Sequence, residues 1–139
     1  MRDAPEVRIL HPMNRTEIDR LHGRLLDLHK LLLDAVRADY EREHGTIANA
    51  GALLQLVINH ERFAWLRPLS GILVEIDDPD VTPDAASARA KVERLFSDAT
   101  PGFHSKYLDV LQSLPAAAEA HAVTMAALRA LPLPASSYN

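Results

Sequence analysis

The chain of 139 residues has the usual length of one domain, and its hydrophobic share of 47% suits a globular protein. A formal net charge of −4 argues against a nucleic-acid or anionic-membrane binder, because both partners require a positive field. The absence of cysteine excludes disulfides and thiolate metal sites within the chain and favours a reducing compartment. We therefore expect one cytoplasmic domain over residues 1–139, without a nucleic-acid or membrane partner.

The first predicted helix covers residues 15–43. Residues 1–13 are interpreted as a lead-in segment, in which an extended piece at 7–10 ends at Pro12. Apolar residues then recur at spacings of three and four, which is typical of a bundle face. The central stripe comprises Ile18, Leu21, Leu25, Leu28, Leu32 and Ala35. The stripe is widened by Leu26, Leu33, Val36 and Tyr40.

The second predicted helix covers residues 49–77 and is apolar almost all round. Such an element is usually the most buried helix of its domain. Pro68 lies in its middle, where proline removes one backbone donor and clashes with the preceding turn. The sequence therefore predicts a kink, or two separate helices over 50–66 and 69–77 that meet near Arg67.

Two further helices are predicted over 83–97 and 101–130. Thr82 and Pro83 provide the N-cap and first residue of the third helix, and Pro115 is expected to interrupt the fourth. Residues 132–139 are interpreted as a flexible tail. The elements together predict an all-α protein: an antiparallel four-helix bundle with proline-kinked second and fourth helices.

Metal binding is the first candidate chemistry, because the chain holds seven histidines. Asp19 and His22 have the i, i+3 spacing of carboxylate-bridged metal bundles, and His29 lies one heptad further along the same helix. The rise between the two histidines is about 10 Å, too far for one shared ion. The other helices provide no matching pair, so we expect no metal and no other cofactor, with surface histidines as the simpler interpretation.

An interaction site is the second candidate. The segment 60–70 contains His60, the only tryptophan (Trp65), Arg67 and the helix-breaking Pro68. Tryptophan and arginine often anchor interfaces, so these residues are candidates for an interaction surface or pocket. The competing interpretation is a core tryptophan at a packed kink, covered by arginine stems.

The stretches at 51–57, 63–70 and 72–77 read GALLQLV, FAWLRPLS and ILVEID. With them, roughly residues 18–80 resemble a family of small bacterial helical proteins of unassigned function. The resemblance implies a helical fold. It brings no activity, cofactor or catalytic residue to these positions.

The functional hypothesis is a non-catalytic interaction or regulatory bundle that forms a homodimer and possesses a further protein partner. It depends on the apolar second helix, of which some of Leu56, Phe63, Leu66, Leu73 and their neighbours are expected to remain exposed in a monomer. No catalytic motif accompanies it, and an enzyme is the less favoured class. One alternative is a metal- or cofactor-binding bundle, and another is a small apolar-ligand binder with a gap at the Pro68 kink.

Overall fold

The computed structural model describes the backbone of residues 3–77 and 84–133, and the side chains from residue 15 onward within those ranges. Seven α-helices and no strand are present in this part of the chain. The helices are α1 Asp3–His44, α2 Ala50–Asn59, α3 Glu61–Ala64, α4 Arg67–Asp77, α5 Ala85–Phe96, α6 Pro101–Ser113 and α7 Pro115–Arg129. None of these seven helices has the length and apolar character needed to cross a membrane.

The long helix α1 organises the core. It packs most extensively against α7 and also contacts α3, α4 and α5, while α6 packs against α5 and α7. Five residues of the predicted central stripe, Ile18 to Leu32, are almost fully buried. The other large core side chains come from α3 to α7 and the turns between them: Phe63, Leu66, Leu69, Leu95, Phe103, Tyr107 and Leu128.

The predicted extended piece at 7–10 is wrong, because α1 begins at Asp3 and continues through Pro12. Proline within a helix loses one hydrogen bond but does not have to end it. Nothing among the described side chains explains why the helix continues here. The prediction for the tail falls mostly on residues 134–139, which lie outside the described part.

The predicted second helix is three helices. α2 ends because His60 leaves the helical region with φ −89° and ψ 132°, and the same residue caps the start of α3. A second break separates α3 from α4, which begins at Arg67, so Pro68 occupies the second position of α4. At that position its missing amide hydrogen costs nothing.

The prediction that this region is the most buried of the chain is wrong for α2, which contains no buried residue. Its inner residues Leu53, Leu56 and Val57 are half-buried and pack against the core. α2 packs mainly against the short helix α3, and its outer residues Leu54 and Ile58 are exposed. An apolar residue favours burial, but its burial also requires another part of the chain to pack over it.

The third and fourth predicted helices differ less from the structure. α5 begins after Asp84, whose carboxylate accepts a hydrogen bond from the amide of Ala86 at 3.2 Å. The predicted cap Thr82 and first residue Pro83 lie outside the described residues. The fourth region consists of α6 and α7, separated at Leu114, and Pro115 is the first residue of α7.

Candidate functional site

His60 lies where α2, α3 and the end of α1 meet. Its Nδ1 accepts a hydrogen bond from the amide of Arg62 at 3.1 Å, which caps α3. Its ring stands edge-on to the ring of Tyr40, with 5.3 Å between centroids. Tyr40 in turn stacks on His44 at 4.3 Å. The predicted site residue His60 therefore connects α1 to the region that follows α2.

Charged side chains on the solvent side also connect the helices that meet at this junction. Arg62 reaches across to α1, where it forms ion pairs with Asp39 at 3.1 Å and with Glu43 at 2.5 Å. Arg67 donates a hydrogen bond from Nη2 to the carbonyl oxygen of Ile58 at 2.7 Å. This bond satisfies one of the last carbonyl groups of α2. Each exposed ion pair contributes at most about 1 kcal/mol, so their main effect is orientation.

A groove of about 800 Å³ opens beside this junction, between α1 and α6. We call it the Trp65 groove. Its floor is apolar and half-buried or buried, and its rims are polar. The side chains that define it are Val36, Asp39, Arg42, Trp65, Lys106, Asp109, Val110, Ser113 and Leu114. The groove offers one surface with an apolar base and charged edges, which is the general character of a binding site.

The candidate Trp65 lies in this groove rather than at the centre of the core. It is half-buried, and its ring lies 5.6 Å from that of Phe103. Arg67 and Pro68 are both exposed and do not line the groove. The structure therefore brings His60 and Trp65 together and places the other two predicted site residues on an adjoining surface.

A second, smaller pocket of about 520 Å³ lies between the end of α1 and the inner side of α2. Its lining includes Tyr40, His44, Ile47, Leu56 and His60. His60 thus separates the two depressions. The loop between α1 and α2 turns at Gly45, whose φ of 88° is the left-handed conformation that glycine adopts without strain.

The outer face of α2 presents large apolar side chains to solvent. Leu54 is 56% exposed and Ile58 is 52% exposed, and their spacing of four places them on one face of the helix. Gly51, three residues before Leu54, is also exposed. We call Gly51, Leu54 and Ile58 the α2 ridge. Residues 45–59 contain no Asp, Glu, Lys or Arg, so the ridge is uncharged.

The prediction of an exposed patch is wrong for the four residues that it named. Phe63, Leu66 and Leu73 are buried, and Leu56 is half-buried. The breaks at His60 and before Arg67 separate the three buried residues from α2, and all three belong to the core cluster with the buried face of α1. The exposed patch in this region is formed by neighbours of Leu56 on α2, Leu54 and Ile58, as the prediction allowed.

The candidate metal residues do not converge. Asp19 is exposed, His22 is half-buried, and His29 lies with Nε2 2.9 Å from the hydroxyl oxygen of Ser70 on α4. Among the side chains of 15–77 and 84–133, no three His, Asp or Glu residues lie close enough to hold an ion. The metal hypothesis therefore has no ready set of ligands in that part of the chain.

Tyr107 and His121 form a hydrogen-bonded pair that the sequence did not indicate. The hydroxyl oxygen lies 2.7 Å from Nδ1, and the imidazole tautomer decides which atom donates. Burial raises the pKa of Tyr107. Burial, and then the charge of Arg129, lower the pKa of His121 below its ordinary value of 6.5. Both groups are therefore neutral near pH 7 and link α6 to α7.

Acid is expected to destabilise the fold through two histidines. Burial lowers the pKa of His29, as it does for His121, so the unfolded chain binds more protons than the folded one. This contribution to the free energy of unfolding is complete above pH 6.5 and declines as the pH falls below it. Urea midpoints at about pH 7.5 and about pH 5 measure the decline.

Two variants and a control test whether His29 and His121 cause this pH dependence of stability. His29→Gln and His121→Asn should each reduce the difference between the two midpoints, because the amides retain a polar partner without titrating. Val74→Ala, at a side chain that is 69% exposed on α4, changes no titratable group and should leave the difference unchanged. Equal pH dependence in all three variants and the parent chain would refute the assignment.

The fold and its grooves define an all-helical protein with an uncharged apolar ridge beside a polar-rimmed groove. Comparison with protein-family models, curated proteins and solved structures finds no match. The resemblance of residues 18–80 to small bacterial helical proteins therefore stays a prediction.

Proposed function

We propose that this chain is a non-catalytic interaction or regulatory protein that forms a homodimer through α2. The observation that carries the proposal is that α2 is apolar, uncharged and without a single buried residue. The exposed ridge side chains gain free energy when another surface covers them, at roughly 25 cal/mol for each Å² of apolar area. Exposed apolar patches of this kind commonly mark interaction sites.

The absence of charge supports a second copy as the partner. In a two-fold dimer the same patch occurs on both sides of the interface, so a charged residue near the axis meets its own like charge. The ridge avoids this repulsion, because residues 45–59 hold no ionised side chain. A partner chosen by charge complementarity would instead require charged groups on this face.

The proposal includes the organisation and location of the molecule. We infer that α1, the α2–α4 region, α5 and the α6–α7 region form the four arms of an antiparallel bundle, supported by the contacts of α1 with α4, α5 and α7. A cytoplasmic location is supported by the lack of cysteine in the chain. The α2 ridge is then the feature that distinguishes this protein from a bundle that covers all its helices.

The double substitution Leu54→Gln and Ile58→Gln tests the proposal. Glutamine retains helix propensity but removes the gain from apolar burial. We expect the dimer dissociation constant to rise at least about tenfold, which corresponds to ~1.4 kcal/mol. Sedimentation equilibrium measures the constant, and circular dichroism checks that the helical content is unchanged.

A matched control uses two apolar residues of similar exposure on other helices. Leu26 on α1 is 47% exposed and Val123 on α7 is 43% exposed. The double variant Leu26→Gln and Val123→Gln should dimerise like the parent chain. An equal loss of dimer in the two double variants, or no loss in the α2 variant, would contradict the assignment of the interface to α2.

A further inference from the structure

We propose that the α2 ridge of each copy seats in the Trp65 groove of the other copy, so that the dimer contains two reciprocal helix-in-groove contacts. This inference rests on the proposed function and specifies its interface. The molecule presents one convex apolar feature and one concave feature with an apolar floor, and His60 lies at the end of the first and in the wall of the second. A two-fold axis that relates the two copies then brings each ridge over the opposite groove.

The size of α2 argues against simple side-by-side pairing. A helix of ten residues is ~15 Å long and ~10 Å across, with a lateral surface on the order of 500 Å². Two such helices in contact along one face would bury roughly 300 Å² in total, whereas specific interfaces bury about 1,200 Å² or more. A groove covers about half of the lateral surface of a seated helix, so two seated helices and two matching groove linings bury on the order of 1,000 Å², which approaches that range.

The groove has the chemistry to receive an uncharged helix. Val110 and Trp65 on its floor are half-buried and gain burial when Leu54 or Ile58 covers them. On its α1 rim, Arg42 is already neutralised by an ion pair with Asp39 at 2.5 Å. The docking of a neutral ridge therefore leaves no charge without its partner on that side.

The opposite rim also tolerates the partner. Lys106 and Asp109 on α6 are exposed, so their charged ends remain in water when the floor is covered. The resulting contact has an apolar centre and a polar edge, as in typical protein interfaces. A helix laid into an apolar groove, with anchors four residues apart, is a recurrent mode of recognition.

Cross-linking of two single-cysteine variants tests the arrangement, and the chain has no native cysteine to interfere. Gln55→Cys places a thiol beside the ridge without altering Leu54 or Ile58, and Ser113→Cys places one in the groove. One variant is isotopically labelled, the two are mixed, and a short bis-maleimide is added. We expect the mixed product, with one chain of each kind, to predominate in the mass spectrum.

The other outcomes separate this inference from the proposed function. Predominant cross-linking of Gln55→Cys to itself would show side-by-side α2 pairing, which overturns the groove arrangement and retains the dimer. Absence of any product, while sedimentation still shows a dimer, would overturn the groove arrangement and the α2 interface. A monomer by sedimentation would overturn the proposed function as well.

Trp65 provides an independent readout because it is the only tryptophan. Dimerisation should move its fluorescence to shorter wavelength as the groove is covered, and dilution should reverse the shift. The Leu54→Gln and Ile58→Gln double variant should show the long-wavelength emission at all concentrations. Emission that does not change with concentration, in a parent chain that does dimerise, would overturn the inference. That result is expected if a small ligand or nothing occupies the groove.

Discussion

Replacement of Leu25 by aspartate is expected to cost about 4–5 kcal/mol of folding free energy or more, and to leave the chain largely unfolded. Leu25 is 0% exposed and lies in the middle of α1, against which α7, α4 and α5 pack. The substitution removes a buried aliphatic side chain and places a polar group in a site without a partner. Domains of this size have only about 5–15 kcal/mol of stability in total.

The neighbouring residue provides a close control. Leu26 is 47% exposed, so Leu26→Asp should change the free energy of unfolding by no more than about 1 kcal/mol. Urea unfolding followed by circular dichroism compares the two variants. Similar losses at both positions would show that α1 does not present the buried face described above.

Truncation of Phe63 to alanine is expected to cost about 3–5 kcal/mol. Phe63 is 0% exposed although α3 has only four residues, and its ring lies 6.0 Å from Tyr40 and 6.3 Å from His60. It therefore anchors the junction between the two breaks in the predicted second helix. The loss should appear as a lower urea midpoint with an unchanged slope.

Two further variants interpret the Phe63 result. Phe63→Leu keeps most of the apolar volume and should cost less than about 1.5 kcal/mol. Val74→Ala, at a side chain that is 69% exposed on α4, should have an effect within about 0.5 kcal/mol. A small effect of Phe63→Ala, comparable with that of Val74→Ala, would place Phe63 outside the core.

The sequence predicted the buried face of α1 because its periodicity extends over several turns. Ile18, Leu21, Leu25, Leu28 and Leu32 are all buried as expected. The added residue Leu26 is exposed, since a stripe this wide exceeds what the neighbouring helices cover. Periodicity gives the centre of a buried face more reliably than its edges.

The region after Gly45 shows why the candidate site was harder to predict. A helix that is apolar all round contains no directional signal, so α2 could be assigned to the core or to the surface with the same residues. The break at His60 depends on one side-chain cap, formed by Nδ1 and the amide of Arg62. Its result is that Phe63 turns inward while Leu54 and Ile58 stay outside.

The Trp65 groove and the Tyr107–His121 pair depend on contacts between distant parts of the chain. The groove joins α1, the turn after α3, and α6, which no local pattern connects. Tyr107 and His121 meet because α6 and α7 are separated at Leu114 and pack together. The sequence identified Trp65 as a candidate site residue, but it did not predict which residues surround Trp65 in the fold.

Sedimentation equilibrium of the unmodified chain over the micromolar range tests the central claim most directly. We expect a mass that rises with concentration from 15.4 kDa toward twice that value, as the two copies associate through α2. The Leu54→Gln and Ile58→Gln variant, measured beside it, should remain near the monomer mass. A single species of 15.4 kDa at every concentration of the unmodified chain would contradict dimerisation through α2.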